Sequence, residues 1–248
     1  IGPLAMGFLL NFFDWRTALL FWGIPGIVVG LAYALLGAET ELAVARGRDY
    51  RRAIWDDVVK NKPICALVAV STLRAMGQTA LASFLPLYLS LHLKLPAAVA
   101  GGFMSILFVF AGVAPVLVGW ISDRIGHRRL IMVFSFFSTV VVVAIPHLGA
   151  GAILAVGLGA LGALLWALRP VIVSAAMASA PQHLSGSIVA FIYGANMSLS
   201  FLAPIIAGLI ADAYGLPMAL TAIALFPLSA AMLTFTLLKP VKSSSQQP

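Results

Sequence analysis

Long apolar runs recur along this chain, and they constrain its fold more than any other feature. Seven of them are about 18 residues or longer, the length at which a helix crosses the roughly 30 Å hydrocarbon layer of a bilayer. Backbone groups in lipid must be satisfied within the segment, so such runs cross as helices. We place these spans at residues 17–36, 63–91, 97–118, 130–147, 151–180, 185–211 and 215–238. The sequence therefore predicts an all-α, polytopic membrane protein.

The composition excludes several other classes of protein. Of the 248 residues, 62% are hydrophobic and only 9% are charged, which leaves too little polar surface for a soluble domain. No combination of nucleophile, base and clustered acids points to an enzyme. The single cysteine, Cys65, and the scattered histidines have no metal-ligand spacing. No metal and no other cofactor is predicted.

The net charge of +7 reflects the loops of a membrane protein, so we predict no nucleic-acid partner. Lysine and arginine in short loops mark the cytoplasmic side. Of the lysines and arginines outside the predicted spans, only Arg16 and Lys94 fall on one side of the membrane. The other side carries Arg46, Arg48, Arg51, Arg52, Lys60, Lys62, Arg124, Arg128, Arg129, Lys239 and Lys242. This asymmetry places residues 37–62 and the C-terminus in the cytoplasm, in a multi-pass protein of the cytoplasmic (inner) membrane.

The stretch 119–129, GWISDRIGHRR, puts an acid and three arginines between two apolar spans. Gly119 would let a neighbouring helix approach closely, and Gly126 permits a sharp turn. Charges in such a turn hold two helix ends together at one face of the membrane, and they separate when that face opens. We interpret the stretch as a conformational latch made of Gly119, Asp123, Arg124, Gly126, Arg128 and Arg129.

The same stretch resembles the signature loop of the major facilitator superfamily of secondary transporters, G-x-x-x-D-R-x-G-R-R/K. In that family the loop lies between helices two and three and again, in a degenerate copy, between helices eight and nine. His127 departs from the pattern, because it replaces the first basic residue after the second glycine. Only four predicted spans follow the stretch. The resemblance is therefore to the second copy.

This resemblance implies that the chain is the C-terminal portion of such a transporter. Residues 1–36 are then the end of the N-terminal bundle, with the end of helix five and all of helix six. Residues 37–62 are the central cytoplasmic loop, 63–238 the six-helix C-terminal bundle and 239–248 a cytoplasmic tail. The stretch 2–7, GPLAMG, is similar to the end of the family's fifth helix in exporters and antiporters, with Met6 in place of the usual glycine.

Two arginines fall inside predicted spans, about 11 residues from the cytoplasmic edge of each. At 1.5 Å per residue, Arg74 and Arg169 both lie roughly 16 Å deep, beyond comfortable snorkelling range. An unpaired charge at that depth is costly, so each must face a partner, water or a ligand. Five glycines crowd the span that carries Arg169, and we expect close helix packing there, at Gly149, Gly151, Gly157, Gly159 and Gly162.

The resemblance assigns these two spans to helices seven and ten, which line the central cavity in that family. Two guanidiniums at one depth suit bidentate contact with a carboxylate or phosphate. Gln78 shares a helical face with Arg74, and Trp166 lies one turn before Arg169. The predicted substrate-binding residues are Arg74, Arg169, Gln78, Asn196, Trp166 and Tyr193. Pairing with acids elsewhere and interhelical hydrogen bonding remain the alternative roles of these side chains.

The predicted function is secondary active transport of a small solute, an organic anion, by alternating access. No acid lies deep in a predicted span, so protons or a counter-substrate are the open choices for coupling. One alternative is a proton-driven exporter of drugs or hydrophobic compounds, favoured by the stretch 2–7. Another is a membrane scaffold or sensor that does not transport. For the predicted anion transporter, the partners are the solute and the lipid bilayer.

Overall fold

Helices form every regular element in the part of the chain that the structure describes, which comprises residues 9, 14–36, 54–179 and 184–237. The structure is a computed structural model. Its α-helices are α1 Trp15–Leu36, α2 Lys62–Leu87, α3 Ala97–Ile125, α4 His127–Ala144, α5 Ala152–Trp166, α6 Leu168–Met177, α7 Ser185–Ser200, α8 Leu202–Tyr214, α9 Leu216–Ile223 and α10 Leu225–Leu237. Shorter helical turns are the π-helical Ile54–Val59 and Tyr88–His92 and the 3-10 turn Ile145–His147.

Six helical segments of the described chain are long and apolar enough to cross a membrane. They confirm an all-α polytopic fold, and their limits agree with six predicted spans to within a few residues. These segments are Lys62–His92, Ala97–Ser122, His127–His147, Ala152–Met177, Ser185–Tyr214 and Leu216–Leu237. The seventh predicted span coincides with α1, whose described apolar stretch Gly23–Leu36 is shorter than a full crossing.

Three of the six spans are broken into two helices, and a proline explains each break. The interruptions lie at Ala167, Phe201 and Ala224, and a proline follows each by three residues. A proline ring clashes with the carbonyl of the residue four positions earlier and offers it no N–H. The preceding helix therefore ends at that residue in each case, which is Trp166 before Pro170, Ser200 before Pro204 and Ile223 before Pro227. Pro115, by contrast, lies inside an unbroken helix, Ala97–Ile125.

The centre of the bundle is α2, the most buried of the six spans. It packs against α7, α8 and α10, and a second layer is formed where α3 lies along α5. Two clusters of buried apolar side chains fill the interior, one around Leu81, Leu107 and Leu158 and the other around Leu67 and Ile172. Polar side chains in this interior therefore have to find partners on neighbouring helices.

In the span that carries Arg169, glycines pack closely against α3 only within the helix α5. A Cβ on Gly162 would overlap the main-chain carbonyl of Leu107, and one on Gly159 would lie 3.1 Å from the Phe110 ring. Gly157 faces the Leu148 side chain at 3.3 Å. The expectation of close helix packing is confirmed at Gly159 and Gly162, whereas the neighbour of Gly157 lies in the connection before its own helix. The expectation is wrong at Gly149 and Gly151, which precede the helix and would place a Cβ in open space.

Candidate functional site

Arg74 lies in the interior of the bundle and is only 2% exposed. Its Nη1 donates to Ser135 Oγ at 2.7 Å, and its Nη2 donates to the carbonyl oxygens of Leu164 and Leu165 at 2.9 and 2.6 Å. Both carbonyls belong to the last turn of α5, immediately before the break at Ala167. Side chains of neighbouring helices commonly satisfy main-chain groups around a proline break in a membrane. Arg74 has that role here.

Gln78 connects the break to the second intramembrane arginine. Its Nε2 donates to the Leu165 carbonyl at 2.7 Å, and its Oε1 accepts from Nη2 of Arg169 at 2.9 Å. The two arginines therefore sit on either side of one amide, with the Leu165 carbonyl shared by Arg74 and Gln78. Arg74 is buried behind this amide, whereas Arg169 is exposed in front of it.

An open cleft of about 320 Å³ lies in front of Gln78, near the middle of the spans. It contains five of the six predicted substrate-binding residues, Gln78, Trp166, Arg169, Tyr193 and Asn196. Arg74 does not line it. Arg169 is the only charged residue among the described residues that line the cleft, and no described carboxylate lies within 4 Å of its guanidinium. The cleft therefore combines one cation with neutral polar and aromatic walls.

The walls of the cleft come from α2, α3, α7 and the break between α5 and α6. Trp166 is half-buried and packs edge-on against Phe108, with ring centroids 6.0 Å apart and an interplanar angle of 76°. Tyr193 is 37% exposed and also borders an adjacent cleft of 460 Å³, as Arg169 does. These two side chains stand at the boundary between the two clefts.

Asn196 is held mainly by interhelical hydrogen bonds. Its Nδ2 donates to Ser71 Oγ at 2.9 Å, and its Oδ1 accepts from Thr72 Oγ1 at 3.1 Å. These bonds join α7 to α2, which is the packing role that polar side chains often have in membranes. Asn196 is 7% exposed, so it offers only a small part of its amide to the cleft.

Sequence reasoning missed several residues that line the cleft. Thr79 and Ser83 continue the α2 wall beyond Ala75 at a spacing of four residues, and that spacing could have identified them. Their hydroxyls donate back to carbonyls one turn earlier in the same helix, Thr79 to Ala75 and Ser83 to Thr79. Phe108 and Met197 carried no distinguishing signal, because apolar residues are common at every position of these spans.

The predicted latch is a helix end and a one-residue turn. Gly119 to Arg124 belong to α3, Gly126 forms the turn with φ 90°, and α4 begins at His127. A positive φ of this size favours glycine, so the predicted sharp turn is confirmed. Ser122 Oγ and His127 Nδ1 lie 2.6 Å apart across it. The predicted close helix approach at Gly119 is wrong, since a Cβ there would meet no heavy atom within 4 Å.

The three arginines of the latch have different surroundings. The Arg124 guanidinium lies 3.8 Å from the centroid of the Trp120 ring, and Arg129 is exposed. Arg128 donates from Nη2 to the carbonyl of Phe235 at 2.8 Å, in the last turn of α10. Arg128 therefore joins the start of α4 to the end of α10. The side chain of Asp123 lies outside the described part of the chain, so its role in the latch stays a prediction.

Six helical segments of the described chain, each long and apolar enough to cross a membrane, define a multi-pass membrane protein. A sequence model of the Major Facilitator Superfamily matches residues 1–204. The chain belongs to this superfamily, whose members are secondary transporters of small molecules rather than enzymes. No curated protein sequence matches the chain.

Proposed function

We propose that this transporter moves a small organic anion by alternating access, with Arg169 as the cationic contact of the solute. The observation that carries the proposal is the position of Arg169, exposed in the cleft with Gln78 Oε1 as a hydrogen-bond acceptor. A guanidinium has five N–H donors in a planar fork that fits a carboxylate or phosphate. No carboxylate of the described residues lies beside this cation, and such a cation attracts an anion strongly in a cleft between apolar helices.

Arg74 supports the solute site indirectly in this proposal. Its hydrogen bonds to Leu164 and Leu165 hold the end of α5, and the same break sets the direction of Arg169 at the start of α6. Gln78 positions the Arg169 guanidinium, and Tyr193 and Trp166 flank the space in front of it. Asn196 aligns α7 with α2.

The assignment of the chain to the C-terminal portion of the transporter is part of the proposal. Residues 63–238 form the C-terminal bundle, 1–36 the end of the N-terminal bundle, and 37–62 and 239–248 the cytoplasmic loop and tail. Residues 1–8, 10–13, 37–53 and 238–248 lie outside the described part of the chain, as does the exporter-like stretch 2–7. The excess of basic residues on one side supports the cytoplasmic orientation and a location in the cytoplasmic (inner) membrane.

Uptake by the full-length protein in proteoliposomes tests the solute class. Radiolabelled pyruvate and succinate are the probes, each with an opposing gradient of protons or of the same anion. We expect saturable uptake of at least one probe, and Arg169→Gln to lower its uptake at low concentration by about 10-fold or more, because one charge-assisted contact contributes about 1.5–3 kcal/mol.

The matched control is Arg16→Gln, which removes an exposed arginine that belongs neither to the cleft nor to the latch. We expect this variant to keep most of the probe uptake. Equal uptake in Arg169→Gln and the unmodified protein would contradict the proposed role of Arg169.

Export of hydrophobic compounds is the second candidate function, and the aromatic wall of the cleft favours it. Phe108 and Trp166 form an edge-on pair beside Met197, a flexible side chain suited to apolar ligands. Proton-dependent efflux of ethidium from cells that express the protein, unaffected by Arg169→Gln, would support this function over anion transport. If the protein moved neither the anionic probes nor ethidium, the role of a membrane scaffold or sensor would be favoured.

A further inference from the structure

A larger cavity, separate from the cleft, opens at the end of the bundle where the latch lies. Its volume is about 1080 Å³, at the upper limit of ordinary ligand pockets. It lies among the start of α2, the start of α4, the end of α6 and the end of α10. None of the described residues that line it also lines the cleft around Arg169.

The charged residues of this cavity, as far as the structure describes its lining, are all basic or titratable to a cation. Lys62, His127 and Arg128 line its outer part, and no aspartate or glutamate accompanies them. The inner part is apolar, with Ala69, Ile131 and Leu233 among its walls. The cavity is therefore amphipathic, with positive charge at the membrane edge and hydrocarbon below it.

Two further features of the charged end favour an anion. The first turn of α4 begins at His127 with no side chain capping its main-chain N–H groups, and such a helix start attracts negative charge. Arg128 lines the cavity and has a buried Nε–H without a hydrogen-bond partner among the described residues. A negative charge beside this guanidinium offsets part of the cost of that unmet donor.

Along its depth, the cavity has polar and apolar walls in the same order as the groups of a phospholipid in one leaflet of the bilayer. Lys62 begins its span and Ala69 lies seven residues further along α2, roughly 10 Å deeper at the helical rise of 1.5 Å per residue. A phospholipid has the same order of groups, with an anionic phosphate at the interface and an acyl chain beneath it. Basic pockets between membrane helices bind anionic head groups in this way.

We propose that this cavity binds an anionic phospholipid of the surrounding leaflet, with its phosphate at Lys62 and Arg128 and one acyl chain along Ala69, Ile131 and Leu233. The bound lipid links the start of α2 to the start of α4 and the end of α10. The site is independent of the proposed solute site around Arg169.

Cys65 gives a direct measurement, because it lines this cavity, is partly exposed and is the only cysteine of the chain. We would follow its reaction with the uncharged reagent N-ethylmaleimide in the full-length protein, with any cysteine outside this chain replaced. The vesicles are phosphatidylcholine alone, or equimolar phosphatidylcholine and phosphatidylglycerol. We expect modification to be slower in the mixed vesicles, with the apparent lipid affinity falling about fivefold for each of Lys62→Gln and Arg128→Gln.

Two controls distinguish the site from a general effect of the charged membrane. Arg129→Gln removes an exposed arginine outside the cavity and should leave the slowing intact. Inorganic phosphate added to phosphatidylcholine vesicles should give no protection, because it lacks the acyl chain. Protection by inorganic phosphate, equal rates in the two kinds of vesicle, or unchanged slowing in the Lys62→Gln Arg128→Gln double variant would overturn the proposal.

Discussion

At the scale of single residues, the two intramembrane arginines solve the problem of a buried charge differently. Arg74 is enclosed and donates to Ser135 and to two main-chain carbonyls, so neutral oxygens solvate its charge. Arg169 is exposed in an open cleft and donates to Gln78. A charge inside a membrane protein is tolerated with carbonyl partners or beside a cavity. The first arrangement is rigid, whereas the second leaves donors for another molecule.

Replacing Arg74 tests this difference. Arg74→Met keeps the approximate length of the side chain but removes the donor to the Ser135 hydroxyl and to the Leu164 carbonyl, while the Leu165 carbonyl keeps only its bond from Gln78. Each orphaned buried group costs about 1–3 kcal/mol, so we expect the thermal unfolding midpoint in detergent to fall by several degrees. Ser135→Ala removes only one partner and should lower the midpoint less.

An unchanged midpoint in Arg74→Met would contradict the structural role of this residue. If anion uptake were lost at the same time, Arg74 would instead contact the solute. Arg169→Gln serves as the comparison, because Arg169 is exposed and its replacement should affect uptake more than stability.

The sequence predicted five residues that line the cleft, but only part of how they are arranged. Depth along a span follows from counting residues, so the shared level of Arg74 and Arg169 could be predicted. The direction of each side chain depends on the rotation of its helix and on the main-chain carbonyls that it meets near the helix break, which no periodicity in these uniformly apolar spans reveals. The sequence therefore could not tell that one arginine would be buried and the other exposed.

At the scale of helices, α3 and α5 approach each other closely because Gly162 has no side chain at their contact. Gly162 approaches the main chain of Leu107 and also lies near Ala111, whose main-chain nitrogen would be 3.2 Å from an added Cβ. Small residues let membrane helices approach in this way, and van der Waals packing then holds them together. A main-chain neighbour cannot move aside as the end of a flexible side chain can.

A single methyl group at this contact should therefore be poorly tolerated. We expect Gly162→Ala to push α3 and α5 apart, at a cost of about 1–3 kcal/mol or more, and to reduce the yield of monodisperse protein in size-exclusion chromatography. Gly112→Ala on α3 is the matched control, since a Cβ there meets nothing within 4 Å. Equal yields and equal unfolding midpoints for the two variants would show that the helices are not in close contact at Gly162.

At the scale of the whole molecule, the latch end of the bundle carries most of the described basic residues that lie outside the interior of the spans. The large cavity touches the starts of α2 and α4 and the ends of α6 and α10, so these four helix ends lie at one end of the bundle. Lys62 and Arg128 are among the residues there, and Lys94 lies between α2 and α3 at the other ends of those helices. The position and order of six of the seven spans could be predicted, because an apolar run of sufficient length fixes a crossing by itself.

Labelling from one side of the membrane tests the orientation of the chain. In a Cys65→Ser background, we expect Arg129→Cys to react with a membrane-impermeant maleimide only after the cells are permeabilised. Lys94→Cys should react in intact cells, because the side with fewer basic residues faces outward. The reverse pattern would show that the basic end faces outward.

The break at Ala167 has a mechanical consequence for the whole span. On one side of it, α5 packs closely against α3 at Gly162, and Arg74 donates hydrogen bonds to two carbonyls of its final turn. On the other side, α6 begins at Leu168, and the exposed Arg169 follows it. This half of the span is anchored as well, because Leu168, Val171 and Ile172 are buried in the core. The break therefore changes the direction of the span without loosening either half, and the Arg169 guanidinium is presented to the cleft from a fixed base.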